Sequence, residues 1–341
     1  MSVSVVIVGR RRRRKRHIFV SLVLAGALIA LAITALMVGN TFYSFAEVMQ
    51  VILGETVPGA SFAVGELRLP RTALAILAGL AFGVAGICFQ VLLRNPLASP
   101  DIIGVTQGAS AAAVVLITVF QLSGLIVSTG ALIGALAAAG LIYLLAYRSG
   151  FSGTRLILIG IGIAAMLQSV VAYSLSRASQ WDIQTAMRWL TGSLNNASWD
   201  DVLPVLLASV VIWPFLVLRA SALTKLQLGD DSAAGLGVRV NSTRLTYIIG
   251  AVCLLAVATA ATGPIVFVAF MSGPIAARLV GPGANLLAPS ALVGALLVLG
   301  GDLVGQFAFD TRYPVGVITG VLGAPYLIYL LVRTNQSGGS L

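Results

Sequence analysis

Apolar residues fill blocks of about twenty along most of this chain, and short polar stretches separate the blocks. A block of that length lets an α-helix cross a hydrocarbon core of roughly 30 Å. Marking the polar interruptions predicts ten such helices, over residues 18–38, 71–93, 102–120, 125–147, 155–176, 202–219, 245–262, 264–280, 288–309 and 314–332. Only Thr262, Gly263 and Pro264 part the seventh from the eighth. The longest interior polar stretch, 219–244, reads as two short helices joined at Gly229, because Asp230 and Asp231 make a helix start and a glycine follows as a stop. Residues 1–17 form a basic segment ahead of the first span, 18–333 one ten-helix unit, and 334–341 a tail expected to be disordered.

Composition fixes the class. The 341 residues are 58% hydrophobic and only 9% charged, with a mean hydropathy of +1.01, whereas a soluble domain carries roughly a quarter charged residues. This excludes an ordinary soluble globule and leaves an all-α polytopic membrane protein. The block from Arg10 to His17 abuts the first apolar run, whose length exceeds a signal-peptide core and which no small-x-small cleavage site follows. It reads as a retained helix with a topology anchor, in preference to an export signal, a nuclear address or a nucleic-acid patch.

Charge then orients the spans. With both termini inside, sixteen of the 21 basic residues fall on the cytoplasmic side, where lysine and arginine accumulate. Arg68, Arg71, Arg177, Arg188 and Arg312 fall outside, with most of the acids. Arg68 and Arg71 therefore run against the bias, and either pair with a local acid such as Glu66 or serve an external partner.

Catalytic chemistry is sparse. His17 is the sole histidine, Cys88 and Cys253 lie inside spans, and no His/Cys/Asp/Glu set has metal-ligand spacing. Neither Lys15 nor Lys225 follows a glycine-rich loop, so ATP hydrolysis by this chain is not expected. Asp302 is the one acid well inside a span, open to a functional role or to a polar packing role. Gly79, Gly83 and Gly86 share a face of the second helix, a pattern that lets backbones approach closely.

Residues 67–110, LRLPRTALAILAGLAFGVAGICFQVLLRNPLASPDIIGVTQGAS, resemble almost throughout a hallmark segment of the FecCD-type permeases, which belong to ABC importers for iron-siderophores, haem and vitamin B12. Residues 263–306 and 313–331 are similar to two further segments, and LGDDSAAGLGV, 228–238, to the loop on which that family docks its ATPase. The resemblance implies a BtuC-like ABC importer permease fold: ten transmembrane helices, both termini cytoplasmic, two permease chains around a central pathway, and an inverted repeat of helices two to five and seven to ten.

What it implies for sites follows residue by residue. Arg68 and Arg71 would pair with glutamates of an extracytoplasmic binding protein, since guanidinium and carboxylate form directional bidentate pairs. The family's next outward arginine falls on Gln306, and Arg312 is the candidate to replace it. A cytoplasmic gate would fall on Asn95, Leu97, Gly153 and Thr154, although Asn95–Leu97 also reads as an ordinary helix-stop turn. Helix five offers Gln168, Ser169 and Tyr173 to line the pathway, and ATPase coupling would involve Leu228, Gly229, Asp230, Asp231, Ala234, Leu236 and Gly237. Gly273 and Pro274 stand where the family often has Pro-His or Pro-Gln, which loosens any transfer of cargo.

The function implied is the permease of an ATP-driven importer, with a ferric siderophore as cargo and cobalamin or haem as the alternative. A secondary carrier or a non-transport scaffold are rivals from other classes. No cofactor is expected on the chain itself, ATP being used by a partner ATPase. The further partners are a periplasmic or lipid-anchored binding protein, a second permease chain, identical or related, and membrane lipid, but no nucleic acid.

Overall fold

The computed structural model describes residues 3–101, 104–147, 152–281 and 283–336, all in helices, turns and loops. The helices are α1 (Val3–Met37), α2 (Phe45–Ile52), α3 (Leu69–Leu92, entered through a π-helical turn, Ser61–Arg68), α4 (Val105–Thr118), α5 (Leu125–Ala146), α6 (Gly153–Arg177), α7 (Gln180–Leu190), α8 (Trp199–Leu218), α9 (Ala220–Leu226), α10 (Asp230–Gly235), α11 (Val240–Thr262), α12 (Val268–Val280), α13 (Leu287–Phe307) and α14 (Val315–Gln336). All ten long apolar elements are present. Eight are long enough to span a membrane, while α4 and α12 are shorter apolar helices.

The differences from expectation have local causes. Helix α1 runs through the basic block up to Val3, because arginine and lysine are good helix formers. Helix α12 starts only at Val268, after a turn in which Phe267 adopts a left-handed φ of 66°. Helix α14 continues to Gln336, three residues into the expected tail, and 337–341 lie outside the described residues, as do 102, 103 and Arg148. Unpredicted helices α2 and α7 are short and start at side-chain caps, Ser44 and Ser179.

Helix α3 is the axis of the molecule. Of its most apolar window 78% is buried, against 11% for α1 and for α6. It packs against α11, α12 and α13. A Cβ on Gly79 would strike the backbone of Gly294 and Ala295, one on Gly83 that of Ser290, and one on Gly86 the carbonyl of Ala269. The three glycines thus let α12 and α13 lie backbone to backbone on α3.

The π turn before α3 traces to Pro70. Proline lacks an N–H and its ring crowds the carbonyl four residues back, and the turn opens so that Leu69 N–H donates to Val64 O, five residues back. That turn carries Arg68, and the first turn of α3 carries Arg71.

Candidate functional site: an outer cavity and an inner ion-pair bridge

The expected outer and inner residues gather at opposite ends of the molecule. At one end a cavity of about 1120 Å³ is lined by Arg68, Arg71, Arg188, Arg312, Asp302 and Gln306, among others. Four of the five arginines that charge bias assigns outside thus share one space, with Asp302 as the acid among the lining residues.

The guanidinium groups differ in how committed they are. Arg68 donates to the carbonyls of Leu36 and Met37 at 2.8 and 2.9 Å and of Thr41 at 2.6 Å, tying the π turn to the end of α1. Its guanidinium also lies 5.0 Å from the Tyr43 ring centroid. Arg71 holds Asp302 in a bidentate pair, Nε to Oδ2 at 2.8 Å and Nη2 to Oδ1 at 2.7 Å. Neither forms an ion pair with Glu66 among the described residues. The local partner is Asp302, 231 positions away in sequence, which explains why reading along the chain missed it.

Asp302 is closely held: its side chain is 3% exposed, and it also accepts from Gln306 Nε2 at 2.7 Å. A neutral amide suits that position, because an arginine there would be a second cation beside a carboxylate already paired. Arg312 is the more available cation, with one bond to Asn40 Oδ1 at 2.7 Å on an exposed loop. Arg188 is similar, its Nε only 3.4 Å from Gln184 O and its side chain exposed. Sequence reading placed Arg188 outside without singling it out.

At the other end, the four gate candidates sit where α3 ends and α6 begins. Asn95 Oδ1 accepts from Leu97 N–H at 2.9 Å, a turn that stops the helix. Leu97 packs against the cluster of Phe270, Met271 and Leu330. A Cβ on Gly153 would lie 3.0 Å from Leu93 Cδ2, so the start of α6 abuts the end of α3. Thr154, beside it, is exposed. Asp101, half-buried in the following loop, accepts from Thr106 Oγ1 at 2.7 Å, and desolvation raises its carboxyl pKa.

Gln168, Ser169 and Tyr173 are all exposed on the thinly packed α6. Ser169 bonds back to Ala165 O at 3.0 Å, and Tyr173 lies under Arg177. They face away from the body of the chain.

The coupling candidates lie on α9, α10 and their turns. Gly229 has φ 107° and Gly237 φ 79°, so glycine frames α10 on both sides. Leu228 and Leu236 are 64% and 54% exposed, while Ala233 is fully buried. Asp230 pairs with Arg94, at the end of α3, and with Arg244, at the foot of α11. Asp231 and Ala234 are exposed beside it. Arg94 and Arg244 were missed because the pairings are long-range; the signal available was two arginines at inner helix ends.

Arg16, in the basic segment ahead of the first span, belongs to this same end. Arg16 Nε donates to Leu279 O at 3.1 Å and Nη2 to Arg278 O at 3.3 Å, capping the last carbonyls of α12. Among the described residues no group of three His, Cys, Asp or Glu is placed to hold a metal.

Known proteins agree with this architecture. The ferric enterobactin transport system permease protein FepG of Escherichia coli K12 is 37% identical, the match covering 94% of this chain and 98% of that protein. The achromobactin transport system permease protein CbrC of Dickeya dadantii is 39% identical, covering 97% of each. The vitamin B12 import system permease protein BtuC of Vibrio cholerae is 36% identical over 80% of this chain and 84% of its own. Among solved structures, one described as an inward-facing metal-chelate type ABC transporter matches with a TM-score of 0.81 and 26% identity, covering 92% of this chain and 98% of that one. The family model described as the FecCD transport family matches residues 27–333. A multi-pass inner-membrane protein with this helix order and these relatives is a member of the FecCD transport family.

Proposed function

We propose that the chain is the permease subunit of an ATP-driven, binding-protein-dependent importer whose cargo is a ferric siderophore. The observation that carries this reading is the inner loop: two bare leucines, Leu228 and Leu236, flank a short helix that ion pairs hold to the ends of α3 and α11. Exposed apolar side chains on such an ion-paired loop suit contact with another protein. The chain has no P-loop lysine of its own, so a separate cytoplasmic ATPase meeting residues 228–237 supplies the energy. No cofactor on this chain enters the mechanism.

At the outer end, the binding protein docks over the cavity mouth. Arg312, joined by Arg188, offers charge to its acidic side chains, while Arg68 and Arg71 shape the rim through their internal bonds. The bare face of α6, with Gln168, Ser169 and Tyr173, fits a second permease chain, identical or related, with the pathway between the two. Asn95, Leu97, Gly153 and Thr154 close that pathway on the cytoplasmic side.

A secondary carrier would need a titratable group free to couple to an ion, and Asp302 is already neutralised by Arg71. Two siderophore permeases among the relatives favour an iron chelate over cobalamin. The test is uptake in an iron-starved host deleted for its own siderophore permease and supplied with this chain, its ATPase and its binding protein. Labelled ferric siderophore should accumulate; cobalamin or haem accumulating in its place would overturn the cargo.

A further inference from the structure

Three helices meet on one carboxylate at the inner end. Both oxygens of Asp230, the first residue of α10, accept from Arg244 Nη2, at 2.9 and 3.0 Å, and Oδ1 also pairs with Arg94 Nη2. The two arms of this bridge are unlike. Arg244 is buried on the first turns of α11, a helix with 67% of its apolar window inside the protein, so that arm is anchored. Arg94 and Asp230 are each about half exposed, 47%, so the second arm lies open to water.

An exposed ion pair adds little to stability, so holding the fold together does not account for this arm. Its place in the chain does. Arg94 comes two residues after α3 ends, turns through a left-handed φ of 48°, and leads directly into the Asn95–Leu97 turn that packs on Phe270, Met271 and Leu330. On the other side, Gly229 at φ 107° joins α10 to α9 without a side chain to restrict it. A movement of α10 about Gly229 therefore reaches the end of α3 through one guanidinium–carboxylate contact.

We propose that Asp230 is a positioning residue that couples the inner loop to the cytoplasmic gate: through Arg94 it makes the Asn95–Leu97 turn follow α10, while Arg244 fixes the pivot. This rests on the reading of residues 228–237 as the ATPase-facing loop. Such a contact suits a moving part, because a partly exposed ion pair can break and re-form at small cost, whereas a buried pair cannot.

The test uses the assembled permease with its ATPase and binding protein in liposomes, and reads cargo imported per ATP hydrolysed. Arg94→Gln removes only the exposed arm and leaves Arg244 on Asp230. Imported cargo per ATP should fall at least fivefold while hydrolysis continues, and Arg94→Lys, which keeps the charge, should regain at least half of the wild-type ratio. In parallel, spin labels at positions 97 and 154 should change separation on ATP binding in the otherwise wild-type chain and not in Arg94→Gln. A ratio in Arg94→Gln within twofold of wild type, or Arg94→Lys no better than Arg94→Gln, overturns the bridge while leaving the importer reading intact. Wild-type uptake that needs no ATP overturns the importer reading itself, and the bridge with it.

Discussion

Glycine does opposite things in α3 and α6. In α3, Gly79, Gly83 and Gly86 are buried against the backbones of α13 and α12, and a methyl group at any of them meets main-chain atoms. In α6, Gly162 has nothing within 4 Å of where its Cβ would stand. Two helices of similar length and hydropathy therefore hold different offices. Helix α3 is the fixed axis of the protomer. Helix α6 presents a face that lipid or a second chain must cover. Hydropathy measures whether a segment enters the membrane, and small-residue spacing measures what it meets there.

The strongest way to break this contrast is steric. Gly86→Leu should abolish recovery of folded, monodisperse protein, because the Ala269 carbonyl is main chain of a packed helix and cannot give way. Gly162→Ala should fold at least as well as wild type, gaining up to about 1 kcal/mol of helix propensity. Size-exclusion profiles in detergent compare the two, and equal tolerance at both sites would refute the distinction.

A second contrast sets the buried pair beside the carbonyl-bound cation. Asp302→Ala leaves Arg71 without its carboxylate and should cost about 3 kcal/mol, as removal of one partner of a buried pair does. Replacing both, Arg71→Met with Asp302→Leu, should recover much of that loss. Arg68→Ala, which removes bonds from a charged donor to Leu36, Met37 and Thr41, should cost less, about 2 kcal/mol. Thermal midpoints rank the three, and Arg68→Ala as the most damaging would reverse the account of the outer end.

The smallest effect lies at the exposed rim. The Ser44 hydroxyl and backbone N–H bond the Glu47 carboxylate and hold its pKa below the usual value. A depressed carboxyl stabilises the fold above its unfolded pKa, and that contribution disappears as pH falls through the lower folded value. Amide protection in α2, corrected for the intrinsic pH dependence of exchange, should therefore fall slightly as the medium is acidified, and Glu47→Gln should remove the dependence.

Much of this was legible in sequence because its signals are local or additive. Ten apolar blocks became ten helices, and glycines three and four apart on one face became the contact surface of α3. The short helices around Gly229 were also readable, since acids at a helix start and a following glycine act within a few residues. What sequence left out are the pairings that join distant segments: Arg71 with Asp302, Arg94 with Asp230, Arg16 with the end of α12. Charge pattern placed each arginine on its side of the membrane, but only tertiary packing decides which carbonyl or carboxylate lies within 3 Å of it. The amphipathic α2 and α7 went unseen for another reason, being too short to register as spans.

The central claim, that this chain is a passage driven from its cytoplasmic loop by a separate ATPase, is tested most directly by reconstitution. Liposomes holding the permease and its ATPase, with loaded binding protein outside and ATP inside, should accumulate ferric siderophore. Omitting ATP, or replacing Leu228 and Leu236 together by Asp, should reduce accumulation to background. Uptake that persists without ATP and without the ATPase subunit would contradict the account.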